Sequence, residues 1–127
     1  MRGLWLKNMK TIIDANVILR YILNDNEAMS AKAKEIINNK AETLVDVIAE
    51  VVYVLKGVYK AERTDICEYI TCVLHEVELN EKEVVIYALQ IFSKSNLDFV
   101  DCLLVSKNHL LGRKIFSFDK KLNIQLK

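Results

Sequence analysis

The sequence contains no proline and only three glycines in 127 residues. Its helices must therefore end at glycine, at asparagine or at side chains that cap the backbone. The sequence also lacks any run of the roughly 18 uncharged apolar residues that a membrane helix requires. Its first eight residues have no apolar core of signal-peptide length. We therefore expect a soluble protein that is not exported, does not enter a membrane and resides in the cytoplasm.

Cysteine is scarce, with three residues in the chain, and an odd number gives no disulfide framework. Cys67, Cys72 and Cys102 also lack the spacing and the companion histidines of a zinc site. We expect them to be small core residues in a reducing compartment.

The length of 127 residues is that of one ordinary domain. A hydrophobic fraction of 52% with 28% charged residues fits a compact α/β protein. We expect a single domain over residues 9–127. Met9-Lys10 precedes the first apolar run and is a candidate translation start, so we expect residues 1–8 to be a disordered N-terminal extension.

Short apolar runs alternate with longer segments of helical periodicity. Strands are predicted at 11–13, 43–45, 77–79 and 114–118, and helices at 15–23, 28–40, 47–59, 64–75, 80–94 and 98–111. Asp46 and Asp98 are placed as helix caps, Asn80 and Glu83 form a candidate capping box, and Gly112 marks a helix end. The alternation predicts an α/β fold with a small, mainly parallel sheet.

Two acidic residues follow apolar strands directly. Asp14 follows Ile12-Ile13, and Asp119 follows a run ending in Phe118. Ligands bind outside the carboxyl ends of the strands in open α/β sheets, so adjacent parallel strands would bring both acids to one crevice. Considered alone, Asp14 is better explained as the cap of the helix that follows.

Two further acids lie on predicted helices. Glu50 falls at the border of the apolar arc of its helix, where a solvated rim position is the alternative. Asp101 falls within the apolar sector, between Leu104 and Val105 in angle. A carboxylate in that sector needs a basic partner, a shifted pKa or a metal ion.

If the helices close over the sheet edge, four carboxylates share one crevice and repel one another unless cations are present. Hard oxygen ligands of this kind suit Mg²⁺ or Mn²⁺. A metal held in this way activates water and stabilises the charge that develops when a phosphodiester is hydrolysed. The segment 105–127 has six basic residues and one acid, against two basic residues and seven acids in 62–83. Its cations Arg113, Lys114, Lys120 and Lys121 flank the last acid and are candidate phosphate contacts, or ordinary surface charge.

Four segments in this order resemble the PIN domain family. They are Ile12-Ile13-Asp14-Ala15-Asn16, the run from Ala49 to Leu55, the run from Leu97 to Leu104, and Ile115-Phe116-Ser117-Phe118-Asp119. The resemblance implies an α/β/α sandwich in three layers, with Asp14, Glu50, Asp101 and Asp119 as the four acids of a Mg²⁺- or Mn²⁺-dependent ribonuclease, similar to the VapC-like toxins of type II toxin-antitoxin pairs.

The resemblance also implies supporting residues and partners. Ser117 matches a hydroxyl position that hydrogen-bonds an active-site acid, and Asn16 would orient Asp14 or a water molecule. Asp98 is a cap or a neighbour of the site. RNA is the implied substrate, a small antitoxin the implied protein partner and a homodimer the implied assembly. Cys102 replaces the small residue usual after the third acid.

Competing classes fit less well. A phosphatase of the haloacid dehalogenase type needs a second Asp two residues after the first, where this chain has Asn16. A receiver domain needs paired acids at the first strand, and Asp14 stands alone there. The remaining alternative is a non-catalytic PIN-like module that binds RNA or a protein partner.

Overall fold

A computed structural model describes residues 9–127. The expected extension at residues 1–8 lies outside the described residues. The elements in chain order are β1 (Thr11–Ile12), α1 (Ala15–Leu23), α2 (Glu27–Asn38), β2 (Ala41–Thr43), α3 (Val45–Gly57), α4 (Arg63–Leu74), β3 (Val77–Leu79), α5 (Lys82–Lys94), α6 (Phe99–Leu111) and α7 (Lys120–Gln125). Over the described range, no helix is both long and apolar enough to cross a membrane.

The three strands form one parallel sheet in the order β1-β2-β3. Thr11 is in register with Ala41, and Ala41 with Val77. Each strand is followed by a helix, so the carboxyl ends of the strands and the starts of α1, α3 and α5 lie toward the same edge. This arrangement confirms the predicted α/β class with a small parallel sheet.

One continuous apolar core holds the helices to the sheet. The largest side chains that are fully buried include Ile18, Ile48, Ile70, Leu89 and Phe92. They come from α1, α3, α4 and α5, and α5 packs on both α4 and α6. Of the three cysteines, Cys102 is buried, Cys67 is half-buried and Cys72 is exposed, so the core placement expected for Cys72 is wrong. Burial raises the pKa of the Cys102 thiol to about 11.

Several boundaries agree with the prediction, and local chemistry explains those that differ. Helix α1 has the predicted limits and ends at Asn24, whose φ of 50° is left-handed. Helix α6 ends at Gly112, also left-handed at φ 66°. The cap of α3 is Leu44 rather than Asp46, because Leu44 is extended and its carbonyl accepts from Ile48 N at 3.1 Å. Asp46 instead lies in the first turn, where the helix dipole favours an acid.

The predicted capping box at the start of α5 is wrong. Glu81 is the residue that precedes the helix, its backbone is left-handed at φ 56°, and no side chain caps the first turn. Asn80 lies outside the helix, and Glu83 lies within its first turn.

The predicted strand at 114–118 is also wrong. This stretch is neither strand nor helix, and β1 pairs only with β2 in the described sheet. Phe116 and Phe118 are 84% and 91% exposed, and their rings contact each other edge to face at 5.1 Å. Burial alternates along the stretch, since Ile115 and Ser117 are half-buried between exposed residues, but alternation alone does not supply the neighbouring strand that a backbone must bond to.

Candidate active site

Asp14 lies two residues after the end of β1 and caps α1. Its Oδ1 accepts a hydrogen bond from Val17 N at 3.1 Å. The preceding residue, Ile13, is buried, and its carbonyl accepts from Thr43 Oγ1 at 2.9 Å. The backbone is thus fixed on both sides of Asp14. The second carboxylate oxygen, Oδ2, forms no hydrogen bond within residues 9–127.

Asp119 repeats this arrangement at the start of α7. Its Oδ1 accepts from Lys121 N at 2.8 Å and from Leu122 N at 3.3 Å. Its backbone N–H donates to Ser117 Oγ at 2.9 Å. Ser117 therefore contacts the backbone of Asp119 and not the carboxylate that the sequence led us to expect. As in Asp14, one carboxylate oxygen caps a helix while the other is left without a hydrogen bond among the described residues.

Asp101 lies in the first turn of α6 and is half-buried, as its position on the helical wheel predicts. No described residue forms an ion pair or a hydrogen bond with its side chain. The alternative of a core acid paired with Arg or Lys is therefore not found in the described chain. Burial, followed by the charges of Asp98 and Asp119, raises the pKa of the Asp101 carboxyl. The structure thus brings Asp98, Asp101 and Asp119 within electrostatic range of one another.

Asp98 precedes α6 in the cap position, as predicted. Its carbonyl accepts from Cys102 N at 3.0 Å, but its side chain makes no capping hydrogen bond. The carboxylate is exposed and adds its negative charge to the surroundings of Asp101.

Glu50 lies on the exposed side of α3, which packs against α6. A groove of about 620 Å³ runs between these two helices, with Ala49 in one wall and Asp101 in the other. Glu50 itself is not among the residues that line it. Over residues 9–127, no three Asp, Glu, His or Cys side chains are close enough together to hold one metal ion. The four predicted acids are therefore not gathered into a single cluster in this conformation.

The supporting residues occupy solvent-accessible positions. Asn16 is exposed in the first turn of α1, two residues after Asp14. The predicted phosphate contacts are all exposed, and none forms an ion pair within the described chain: Arg113, Lys114, Lys120 and Lys121. Lys120 and Lys121 directly follow Asp119 in the chain, so two basic residues adjoin this acid.

The sequence analysis missed a second set of cations. Lys56, Lys60 and Arg63 line the groove together with Tyr53. Their signal in the sequence is a basic residue every few positions, interleaved with the aromatic residues Tyr53 and Tyr59. This pattern is typical of nucleic-acid contacts, but it was obscured because the acidic stretch at 62–83 begins at the same place.

Comparisons with known proteins agree with this architecture. A family model described as "PIN domain" matches residues 11–124. A VapC ribonuclease of Aquifex aeolicus (strain VF5) is 30% identical over 118 residues, covering 87% of this chain and 87% of that protein. No solved structure gave a significant match. Because the family model covers nearly the whole described chain, the protein belongs to the PIN domain family.

Proposed function

We propose that the protein is a divalent-metal-dependent ribonuclease that hydrolyses RNA phosphodiester bonds. The observation that carries the proposal is Asp101, a half-buried carboxylate without a described partner that lies within range of Asp98 and Asp119. A protein does not gain stability from such a group, so a role outside folding accounts for it. Membership in the PIN family and the similarity to a VapC ribonuclease support this role.

The donor chemistry of the acidic residues fits Mg²⁺ or Mn²⁺. Asp14 and Asp119 each retain a carboxylate oxygen that is not used in helix capping. The carboxylates of Asp98 and Asp119 add negative charge to the surroundings of Asp101. Asp14, Asp101 and Asp119 would hold the cation, with Glu50 as a further ligand or an orienting base. When bound, the metal would activate water and stabilise charge on the phosphoryl oxygens.

The protein itself contributes positioning. Capping hydrogen bonds hold the Asp14 and Asp119 carboxylates by one oxygen each, and Ser117 restrains the backbone at Asp119. Asn16 would orient the Asp14 carboxylate. The exposed cations around Asp119 would bind phosphates on either side of the scissile bond: Arg113, Lys114, Lys120 and Lys121.

The test is cleavage of a labelled RNA in the presence of Mg²⁺, Mn²⁺ or a chelator. The wild type should cleave only with metal, and Asp14→Asn, Asp101→Asn and Asp119→Asn should abolish cleavage. Glu50→Gln should reduce it. Asp46→Asn and Glu68→Gln are matched controls, because both residues are exposed acids on α3 and α4 outside the proposed site. Cleavage that survives Asp14→Asn or Asp101→Asn would refute the mechanism.

The separation of the four acids in this conformation supports one alternative, a non-catalytic module that binds RNA or a protein. That alternative predicts RNA binding without cleavage at any metal concentration. The same assay, read together with a binding measurement, distinguishes the two functions.

We further propose that the protein acts in the cytoplasm as the toxin of a type II toxin-antitoxin pair, with a small antitoxin as its partner. The support is the similarity to a VapC ribonuclease over most of both chains. Expression of the wild type should arrest growth, and coexpression of the product of a small adjacent reading frame should restore it. Expression of the wild type without any toxicity would contradict this role.

Homodimerisation is the proposed assembly, on the basis of the family resemblance and of the apolar content of several helices. Light scattering at micromolar concentration should give twice the chain mass of 14.6 kDa. A monomeric mass would contradict it.

A further inference from the structure

The groove between α3 and α6 opens directly beside the proposed catalytic acid. Its α3 wall is formed by Ala49, Val52, Tyr53 and Lys56, and its α6 wall includes Phe99 and Asp101. The volume of about 620 Å³ lies within the range of small-ligand sites. A ligand that occupies the groove would therefore lie next to the Asp101 carboxylate.

Asp98 and Asp101 line the groove at the start of α6, and its free positive charge lies on α3 and just after it. Lys56 and Lys60 line the groove, and neither forms an ion pair within residues 9–127. Arg63 is already engaged, since its guanidinium donates to the Leu97 and Phe92 carbonyls at 2.9 Å. The two lysines are thus the groove cations available to a phosphate group.

Tyr53 gives the groove an uncommitted aromatic surface. Its side chain is 78% exposed, and its hydroxyl has no hydrogen bond to another described residue. An exposed aromatic ring next to free lysines is suited to stacking on a nucleobase, because every base presents a flat π surface.

The loop that carries Lys60 has an unfavourable backbone. Lys60 adopts φ 56°, a left-handed conformation that residues with a Cβ rarely adopt. Asn24, Lys40 and Glu81 share this conformation outside the groove, so it does not by itself mark a functional site. Here the conformation positions a lysine in the wall of the groove.

We propose that this groove binds an unpaired nucleotide of the RNA substrate next to the scissile bond, with Tyr53 stacked on the base and Lys56 and Lys60 bound to the backbone phosphates. The inference rests on the proposed ribonuclease function. The assigned base must be unpaired, because a base in a duplex cannot present its face to Tyr53.

The binding test uses the Asp101→Asn protein in metal-free buffer and a fluorescent single-stranded RNA of mixed sequence, followed by anisotropy. Tyr53→Ala on this background should weaken binding on the order of tenfold, and Tyr53→Phe should retain it. Lys56→Ala/Lys60→Ala should lower the slope of log affinity against log salt by roughly 1.4, because each phosphate contact on a single strand contributes about 0.7. A blunt duplex of the same RNA should bind more weakly than the single strand and should not respond to Tyr53→Ala.

Matched controls lie outside the groove. Tyr69→Ala removes an exposed tyrosine on α4, and Lys34→Ala/Lys94→Ala removes two exposed lysines from α2 and α5. These variants should bind as the parent does. In the otherwise wild-type protein, the groove variants should lower kcat/KM for RNA cleavage and the controls should not.

The outcomes separate this inference from the proposed function. If the wild type cleaves RNA with metal while the groove variants retain affinity, salt slope and kcat/KM, the groove assignment is wrong and the ribonuclease function stands. If the groove variants lose affinity for an RNA that the wild type binds but never cleaves, the groove assignment stands and the ribonuclease function fails. Equal binding of single strand and duplex, or no RNA binding at all, would overturn the assignment.

Discussion

At the residue scale, Asp14 and Asp119 each use one carboxylate oxygen in a helix cap and leave the other without a hydrogen bond among the described residues. Each uses Oδ1 to accept backbone N–H groups at the start of a helix. These bonds satisfy donors that the helix leaves unpaired, and they also fix the direction of the carboxylate. The remaining oxygen of each residue is then held in a restrained position, so capping would not compete with the metal binding proposed above.

Asp101 has no structural role of this kind, and activity and stability should therefore diverge on its replacement. Asp101→Asn removes a half-buried charge that lies near Asp98 and Asp119. We expect RNA cleavage to fall by more than the about 10- to 100-fold typical of a lost supporting residue. In metal-free buffer we expect the melting temperature to be equal to that of the wild type or higher. A marked drop in the melting temperature, measured by circular dichroism, would show that Asp101 serves the fold.

Tyr21 provides a pH-dependent contribution to stability through its contact with Glu76. Its hydroxyl donates to Glu76 at 2.5 Å, and this hydrogen bond, with burial second, raises the pKa of Tyr21 to about 12. The unfolded tyrosine ionises near pH 10, so the stabilisation is complete below pH 10 and is lost as the pH rises toward about 12.

Tyr21→Phe should therefore lower the free energy of unfolding by about 0.5–1.5 kcal/mol at pH 8. The difference from the wild type should shrink above pH 10. Urea titrations at pH 8 and pH 11 measure it, and a difference that is constant with pH would contradict the assignment.

The sequence alone located some of these residues and not their partners. The wheel position of Asp101 between Leu104 and Val105 was sufficient to predict a half-buried acid, because burial on a helix follows periodicity. The bond from Asp119 N to Ser117 Oγ was not predictable, because it depends on the local turn of the backbone. The role of Lys56 and Lys60 depends on which helix lies opposite α3, which no local pattern specifies.

At the scale of the elements, the two glycines with described surroundings should respond in opposite ways to alanine. Gly112 ends α6 at φ 66°, so a Cβ there is strained although no other atom lies within 4 Å. Gly57 ends α3 with a φ outside the left-handed region and open space around it. Gly112→Ala should destabilise the protein by about 1 kcal/mol, and Gly57→Ala should be neutral or stabilise it by up to about 1 kcal/mol.

Urea unfolding of the two variants measures this difference directly. Equal effects of the two substitutions would show that the backbone at Gly112 relaxes out of the left-handed region.

Arg63 connects α4 to the end of α5 and to the loop that leads into α6. Its guanidinium lies 3.9 Å from the centre of the Phe92 ring and donates to the Phe92 and Leu97 carbonyls. Arg63→Ala should destabilise the protein by about 2–3 kcal/mol, since it removes charged hydrogen bonds and a stacked contact. The stability of Arg63→Lys should lie between those of the wild type and Arg63→Ala, because an ammonium group cannot reproduce the fork of donors of a guanidinium group. Equal stability of Arg63→Lys and the wild type in urea titrations would contradict the role of the fork.

The elements that the sequence predicted best are those whose signals are local. The limits of α1 and β3 were predicted correctly, because each is bounded by residues that stop the pattern. Helix α7 was missed, although Asp119 as a cap and Leu122 as a buried residue were available signals. The stretch at 114–118 alternates like a strand, but strand formation depends on an available edge, and that is a property of the whole sheet.

At the scale of the whole molecule, acidic and basic residues are concentrated in different stretches of the sequence, and the fold joins some of them in ion pairs. The acidic stretch at 62–83 forms α4 and β3, and two of its acids, Glu78 and Glu81, pair with Lys10 and Lys107. The cations around Asp119 and those of the α3–α6 groove remain unpaired within residues 9–127. Some of the unpaired cations thus lie near Asp101, in the groove, or next to Asp119 in the chain.

This charge distribution makes thermal stability a direct test for a metal. A cation that binds the folded protein and not the unfolded chain stabilises it by about 2.7 kcal/mol at a concentration 100 times its Kd. Mn²⁺ should therefore raise the melting temperature of the wild type by several degrees. Because Asp101 and Asp119 would be ligands, Asp101→Asn and Asp119→Asn should abolish most of the rise, whereas Glu68→Gln should retain it. An equal rise in all four proteins would place the metal elsewhere, and no rise at millimolar Mn²⁺ would remove the metal from the proposed mechanism.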